Sequence, residues 1–250
     1  QQLIEKYTPA PLNQVVNIAS VYAQNEWKNE QWSFLIGGRV DKNSIMDKAV
    51  FSPRANIRYN PTQDVNIRFS YAEGFRAPQA FDEDLHISNV GGELVSIVRA
   101  EGLKEERSRS FNASVDWYHY FGDFQANLLV EGFYTKLSDP FVLTPPVKDP
   151  DGSAYLIQTR INGSGAKVYG GTLEGKVAYK DKVQLQAGLT LQRSIYDSPE
   201  EWSADEEHLS EKERYSDKIL RTPDVYGYFT ATYMPVKAFS IALNGNYTGR

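Results

Sequence analysis

Apolar and polar residues alternate along most of this chain, with nearly the same phase in segment after segment. Segment 183–192 has Val, Leu, Ala, Leu and Leu at odd positions and Gln, Gln, Gly, Thr and Gln at even ones. Segments 65–71 and 239–247 follow the same rule. A period of two is the mark of a β-strand with one apolar and one polar face. Strands this long and regular favour the wall of a β-barrel, with lipid outside and a wet lumen inside.

The alternation predicts an all-β fold: an antiparallel up-and-down meander that forms part of a transmembrane β-barrel with long extracellular loops. Because no run of 18 apolar residues occurs, no transmembrane helix is expected. The glycines at 163, 165, 170 and 171 predict bulges or bends within one long strand. We expect about ten strands, near 14–28, 31–40, 51–59, 65–71, 109–121, 124 to beyond 134, 154–179, 183–195, 225–234 and 239–247.

The connections between these strands are unequal in length. Tight turns are predicted near 60–64, 121–123, 180–182 and 235–237. Long connections are predicted near 73–107, 138–153 and 196–220, as on the outer side of an outer-membrane barrel. A soluble antiparallel β protein also alternates, so this second fold stays open. Six aromatic residues near the tight turns resemble an interfacial girdle: Tyr59, Phe121, Phe124, Tyr179, Tyr233 and Phe239.

Composition excludes several classes of protein. The net charge of -5 and the scattered basic residues argue against binding to nucleic acid. With no cysteine, the chain can form neither a disulfide framework nor a thiolate metal site. The first residues lack the features of a signal peptide, and residues 247–250 continue a strand pattern without a closing turn. We therefore expect residues 1–250 to be a piece of a longer protein.

Five short motifs resemble those of the barrels of TonB-dependent outer-membrane receptors, in the order found in that family. The segment YAEGFRAP at 71–78 resembles the box in which a strand of these receptors enters a long extracellular loop. The others are FSPRAN at 51–56, GGRVD at 37–41, GLKEERS at 102–108 and YGGTLEG at 169–175. The 102–108 segment lacks the Asn-Pro of the family's motif, which weakens an assignment as a haem receptor.

The resemblance implies a barrel of about 22 strands around a globular plug. Residues 1–250 would then be a middle-to-late fragment of about ten strands, with the plug and the last strands missing. The implied partners are a nutrient ligand (an iron chelate, haem, cobalamin or a glycan), the protein's own plug, TonB through the missing N-terminal region, and the lipid bilayer. No cofactor is expected.

The long connection at 73–107 is the best candidate for ligand binding, because extracellular loops contribute to the ligand site in the resembling family. The guanidinium of Arg76 suits a carboxylate-bearing ligand, although Arg76 and Pro78 could instead only shape the loop entry. His86 could ligate a haem iron, or have no such role. The predicted ligand-binding residues are Phe75, Arg76, Gln79, Asp82 and His86.

Two other charged sets have alternative interpretations. Charges on the polar faces of strands could contact a plug or pair with one another across strands: Arg39, Arg54, Arg58, Arg68, Asp116 and Glu131. The acidic stretch 197–217 could bind calcium but is more simply a solvated surface, so no metal site is predicted. Within it, Ser198-Pro199-Glu200-Glu201 predicts a capping box at the start of a short helix.

No phosphate loop, zinc-protease motif or nucleophile elbow occurs, so we do not expect an enzyme. The resemblance implies a Gram-negative outer-membrane receptor that binds a scarce nutrient and imports it by TonB-coupled transport. A passive porin, or a surface enzyme built on the same barrel, is the alternative.

Overall fold

The computed structural model describes residues 15–78, 94–148, 155–201, 208–219, 222–236 and 238–249. Within these residues, no helix has the length and apolar character needed to cross a membrane. The elements in chain order are β1 (Ile18–Lys28), β2 (Trp32–Asn43), β3 (Val50–Tyr59), β4 (Val65–Arg76), β5 (Leu94–Arg99), β6 (Glu106–Phe121), β7 (Phe124–Ser138), β8 (Phe141–Leu143), β9 (Val147–Lys148), β10 (Tyr155–Asn162), β11 (Ala166–Tyr179), β12 (Val183–Glu201), α1 (Glu211–Arg214), β13 (Tyr215–Lys218), β14 (Val225–Val236) and β15 (Phe239–Thr248).

Ten of these strands form one large antiparallel sheet, which we call the wall. Its order is β1-β2-β3-β4-β6-β7-β11-β12-β14-β15, and β13 pairs briefly with β12. The predicted all-β meander of about ten strands is therefore confirmed. Each wall strand pairs with the next wall strand in the sequence, so the pairing is local. The order ends at β1 and β15, and the sheet is not closed in the part of the chain that the structure describes.

The prediction of one continuous strand over 154–179 is wrong. The chain divides into β10 and β11 at a bend that contains Gly163 and Gly165. The φ of Gly165 is +110°, a conformation that residues with a Cβ rarely adopt. β11 lies in the wall between β7 and β12, whereas β10 leaves the wall. Gly170 and Gly171 lie inside β11 with regular pairing on both sides, so no bulge occurs there.

A second, smaller sheet is made from the long connections, and we call it the loop sheet. β10 pairs in parallel with β5 and in antiparallel with β8 and β9. β5 belongs to the connection between β4 and β6, and β8 and β9 belong to the connection between β7 and β10. The loop sheet thus combines two predicted long loops at one end of the wall.

The opposite end of the wall has the predicted tight turns. Only Gly122 and Asp123 separate β6 from β7, and Gly122 has a φ of +59°. Lys180 begins the turn between β11 and β12, and its ammonium group lies 2.9 Å from a carboxylate oxygen of Asp123 on the neighbouring turn. Four aromatic residues predicted near these turns have 45–55% of their surface exposed: Phe121, Phe124, Tyr233 and Phe239.

Most large apolar side chains of the wall are exposed on one face. In the described residues the buried apolar cluster is small, and consists of Met46, Val50 and Ala77 with Ile45 and Phe75 packed against it. An apolar face this large requires an apolar surrounding, which favours a membrane barrel over a soluble β protein. Examples of its exposed residues are Phe69, Phe111, Val115, Val130, Leu173, Leu189, Phe229, Ile241 and Leu243.

The capping box predicted at Ser198 is wrong, because Ser198 to Glu201 belong to the extended strand β12. A capping box does occur in the same acidic stretch, twelve residues later. The Ser210 backbone N–H and hydroxyl both donate to the Glu213 carboxylate, at 3.0 and 2.6 Å, and the helix α1 begins there. Pairing with β13 holds the end of β12 extended and overrides the local helix signal.

Candidate ligand-binding site at the loop end of the wall

β4 reaches further toward the loops than its alternation predicts, and it carries the two described candidate residues, Phe75 and Arg76. β4 pairs with β6 in unbroken register up to Arg76, which lies opposite Glu106. Phe75 packs against the small cluster formed by Met46, Val50 and Ala77. Phe75 therefore anchors the strand end by apolar contact, which explains why an aromatic residue precedes the arginine.

Arg76 joins three strands at the entrance to the loops. Its guanidinium lies 3.3 Å from the carboxylate of Glu106 on β6, and 4.8 Å from the ring centroid of Phe141 on β8. The backbone N–H of Phe141 donates to the same Glu106 carboxylate at 3.0 Å. Arg76 therefore shapes the loop entry, and its side chain, 46% exposed, also stays accessible to a ligand.

Asn162, at the end of β10, holds three connections together. Its side-chain oxygen accepts from the backbone N–H of Lys104 at 2.9 Å. Its side-chain NH₂ donates to the carbonyls of Lys104 and Asp139 at 3.1 and 2.9 Å. One amide side chain thus satisfies backbone groups of two other segments, so the loop sheet is tied to the strand ends rather than free of them.

A further contact lies within the β4–β6 connection, where the Arg99 guanidinium on β5 donates to the carbonyl of Pro78 at 2.8 Å. The predicted ligand-binding residues Gln79, Asp82 and His86 lie outside the described residues. Sequence reasoning missed the contributions of Asn162 and of β5. The apolar, β-branched run Leu94–Arg99 is the signal that could have revealed β5.

Glu105 lies at the base of the loops, just before β6, and its pKa is lowered. Burial raises the pKa of Glu105, but the hydrogen bonds from Arg107, a backbone hydrogen bond and the nearby charges of Arg107 and Lys104 together outweigh it and hold the pKa below its ordinary value of 4.5. The guanidinium of Arg107 donates twice to the Glu105 carboxylate, at 3.1 and 2.7 Å. Glu105 is therefore ionised at neutral pH.

The polar face of the wall carries the charges singled out in the sequence, and several of them pair with neighbours. Arg39 Nε donates to Asp41 at 2.7 Å, Arg68 Nε donates to Asn66 at 2.7 Å, and Tyr118 donates to Asp116 at 2.9 Å. Each contact joins residues two positions apart on one strand, so it satisfies the charge locally and does not test pairing of these charges with one another across strands.

Other charges on this face are not satisfied in that way. Arg58 lies directly opposite Arg68 in the register of β3 and β4, and the buried Nε of Arg58 has no hydrogen-bond acceptor among the described residues. Like charges placed opposite each other destabilise a strand pair. Arg54, Arg58 and Arg68 lie on β3 and β4, whereas Asp116 and Glu131 lie on β6 and β7.

A hydrogen-bonded network covers the polar face near the tight turns. The Tyr228 hydroxyl donates to Glu174 and accepts from the side-chain amide of Gln186, the latter at 2.7 Å. Lys176 lies 2.8 Å from the same Glu174 carboxylate. The network borders a concavity of about 390 Å³ that also includes Tyr118 and several Gln and Thr side chains.

Comparison with known proteins agrees with this architecture. Residues 5–250 match the family described as TonB dependent receptor-like, beta-barrel. No curated protein is similar enough in sequence to count as a relative.

Solved structures with the same fold include the FrpB iron transporter of Neisseria meningitidis (F3-3 variant; 17% identity, TM-score 0.61, covering 93% of this chain and 32% of that one). The siderophore receptor PirA of Pseudomonas aeruginosa is also similar, with 16% identity and a TM-score of 0.63. The match covers 93% of this chain and 38% of the PirA chain. The pyoverdine outer membrane receptor FpvA of Pseudomonas aeruginosa PAO1 is similar too, with 13% identity and a TM-score of 0.61. The match covers 94% of this chain and 31% of the FpvA chain.

The chain therefore spans about a third of the length of the solved structures it matches. The family match covers nearly the whole chain, and the sequence motifs, the wall and the loop sheet of this chain agree with membership of that family. Proteins of this family lie in the Gram-negative outer membrane. This chain belongs to the family of TonB-dependent receptor β-barrels.

Proposed function

We propose that this chain forms part of the wall and outer loops of a receptor that captures a scarce nutrient and imports it by TonB-coupled transport. The whole receptor includes a plug, and residues 1–250 are a middle-to-late run of its barrel. The share of the solved structures that the chain covers, about a third, supports this division.

The observation that carries the proposal is the joined loop end. A ligand-capturing surface must hold its side chains in place before the ligand arrives. Arg76, Asn162 and Arg99 tie the β4–β6 and β7–β10 connections to each other and to the strand ends, with hydrogen bonds of 2.8–3.1 Å and the 3.3 Å ion pair.

Within the possible ligands, we place iron chelates first, ahead of haem, cobalamin and glycans. The similar structures are named as an iron transporter, a siderophore receptor and a pyoverdine receptor. Many iron chelates carry negative charge, which suits the accessible guanidinium of Arg76. Phe75, Arg76, Gln79, Asp82 and His86 are the residues we propose at or beside the ligand.

The plug is the proposed partner of the polar face. The buried Nε of Arg58 has no acceptor among the described residues, and we propose a plug carboxylate or carbonyl as its acceptor. The basic residues on β3 and β4 and the acidic residues on β6 and β7 predict a plug with the opposite charge distribution.

The test is ligand binding by the intact receptor that contains this chain, in detergent. Ferric siderophores, haem, cobalamin and oligosaccharides are titrated separately against the unchanged protein, Arg76→Ala and Lys182→Ala. Lys182 is exposed in a tight turn and serves as the control. We expect one ligand class to bind, with affinity reduced about tenfold or more in Arg76→Ala and unchanged in the control.

Two results would contradict the proposal. Binding that is the same in Arg76→Ala and in the control would remove Arg76 from the site. No binding of any ligand, together with steady ion conductance in a planar bilayer, would identify a passive pore instead.

A further inference from the structure

The apolar face of the wall has a second row of aromatic residues, at the loop end. The register places Tyr71, Phe111, Tyr134 and Tyr169 side by side on β4, β6, β7 and β11. We call them the loop-end aromatic row. On the last three of these strands it lies ten residues from Phe121, Phe124 and Tyr179, at the tight turns.

This spacing matches the thickness of a membrane. Ten residues of antiparallel strand at about 3.4 Å each, tilted by about 40°, span roughly 26 Å. Outer-membrane barrels present an apolar band about 25 Å tall between two aromatic girdles. The loop-end aromatic row therefore lies at the headgroup level of the outer leaflet.

A row of cations lies one step beyond the loop-end aromatic row, on the same face. Arg109, Lys136 and Lys167 are direct register partners on β6, β7 and β11. Adjacent strands are about 4.8 Å apart, so the three positions span about 10 Å. Like charges directly opposite one another destabilise a sheet unless an anion compensates them.

The described part of the chain compensates this cation row only in part. Arg109 lies 3.5 Å from Glu73, and Lys167 lies 3.4 Å from Asp197. Lys136, between them, is exposed and forms no ion pair with any described residue. Arg109 remains 60% exposed despite its partner. An external anion therefore has access to the whole row.

An apolar groove of about 530 Å³ lies on the membrane side of the cation row. Its floor includes Ala113 and Gly132, which are register partners on β6 and β7. The small side chains at this pair leave a depression between larger neighbours. Those neighbours are Phe69, Tyr71, Phe111 and Tyr134.

We propose that this face binds a phosphorylated lipid of the outer leaflet. The headgroup phosphate lies at Arg109, Lys136 and Lys167, and an acyl chain occupies the groove over Ala113 and Gly132. A free phosphate would use the cations alone, whereas a phosphorylated lipid uses both features, and their contiguity favours the lipid. The inference rests on the place of the chain in an outer-membrane barrel and not on the transport of any nutrient.

The headgroup half is tested with the intact protein, stripped of lipid in mild detergent and titrated with diphosphorylated lipid A by native mass spectrometry. We expect affinity to fall roughly fivefold in Lys136→Gln and further in the triple Gln variant of the cation row. Lys136→Arg, which keeps the charge, and Lys182→Gln, at the opposite end, should bind like the unchanged protein. Equal binding by enzymatically dephosphorylated lipid A would overturn the proposal.

The acyl-chain half is tested by filling the groove. A Cβ at Gly132 meets only the Gly170 carbonyl oxygen, at 4.0 Å, so Gly132→Leu enters the groove without displacing backbone. Gly175→Leu, on the same face with nothing within 4 Å, is the matched control.

We expect Gly132→Leu to weaken lipid A binding several-fold, and Gly175→Leu to leave it unchanged. Inorganic phosphate should compete poorly with lipid A in every variant. If inorganic phosphate displaces lipid A at similar concentrations, or if Gly132→Leu binds lipid A normally, the site is an anion site without a lipid groove and the proposal fails.

Discussion

The two faces of the wall are stabilised by different surroundings, although they belong to the same ten strands. On β7, Val130 is 50% exposed on the apolar face, whereas its neighbour Leu129 points to the polar face opposite Asp116 on β6. The apolar face depends on lipid for its stabilisation, so chemical character matters more there than exact packing. The polar face depends on specific hydrogen bonds such as those among Glu174, Gln186 and Tyr228. A change of one residue position along a strand therefore changes which physical effect dominates.

The largest expected effect is a charge placed at the middle of the apolar face. Val130→Arg should destabilise the folded barrel by about 2–4 kcal/mol, because an arginine there loses its hydration in the membrane core. Leu129→Arg, one residue away, places the same side chain opposite Asp116 on the wet face and should change stability by less than about 1 kcal/mol. Urea unfolding of the intact protein in phospholipid bilayers measures both variants. Equal destabilisation would show that the two faces do not differ in surroundings.

The next effect concerns close approach of backbones on the polar face. A Cβ at Gly170 would overlap the carbonyl oxygen of Leu191 on β12, so Gly170→Ala must push the two strands apart. We expect a loss of about 1–3 kcal/mol. Gly175→Ala meets nothing within 4 Å and should be neutral or slightly stabilising, because alanine restricts the unfolded chain. Similar values for the two variants in the same unfolding assay would contradict the close approach.

A smaller effect is expected for the hydroxyl of Tyr228, which joins Gln186 and Glu174 on the polar face. Tyr228→Phe removes both contacts and should cost about 1–2 kcal/mol, because each hydrogen bond contributes about 1 kcal/mol net. Tyr233→Phe, on the apolar face of the same strand, is the control. A loss in Tyr233→Phe as large as in Tyr228→Phe would show that hydroxyl contacts do not distinguish the faces.

The smallest effect is a pH dependence at the base of the loops, outside the wall. Because the pKa of Glu105 is lowered in the folded protein, its pairing with Arg107 stabilises fully above the ordinary value of 4.5 and is lost as the pH falls through the lowered value. The exposed setting limits this to about 1 kcal/mol or less. Amide hydrogen exchange of residues 104–108 should rise at acid pH in the unchanged protein. Glu105→Gln should show the faster exchange at neutral pH as well, and an unchanged rate would contradict the role of the pair.

The wall itself was predictable from sequence because its signal is local. Val183, Leu185 and Leu189 identify the apolar face of β12 without reference to any other strand, and each wall strand pairs with the next wall strand in the chain. The position of Arg76 at a loop entrance was likewise predictable from its motif. Its contacts with Glu106 and Phe141 could not be predicted, because those residues lie on β6 and β8, 30 and 65 positions further along the chain.

The failures share one cause. The segment 154–179 alternates well enough to suggest a single strand, and Ser198 to Glu201 satisfy the local pattern of a capping box, yet neither forms what it predicts. In both cases pairing with a strand outside the segment decided the outcome: β5 joins β10 in parallel, and β13 holds the end of β12 extended. Local propensity is worth less than the hydrogen bonds and packing of a full strand pair.

By itself, the sequence determined the all-β class, the phase of the two faces, the tight-turn end and the family motifs. All of these depend on residues within one strand or one turn, where a period of two is sufficient. Only the tertiary structure decided the loop sheet, the place of Asn162 in it, and the row formed by Arg109, Lys136 and Lys167. These arrangements depend on register between strands, which sets the residues of separate segments side by side and leaves little trace in any one of them.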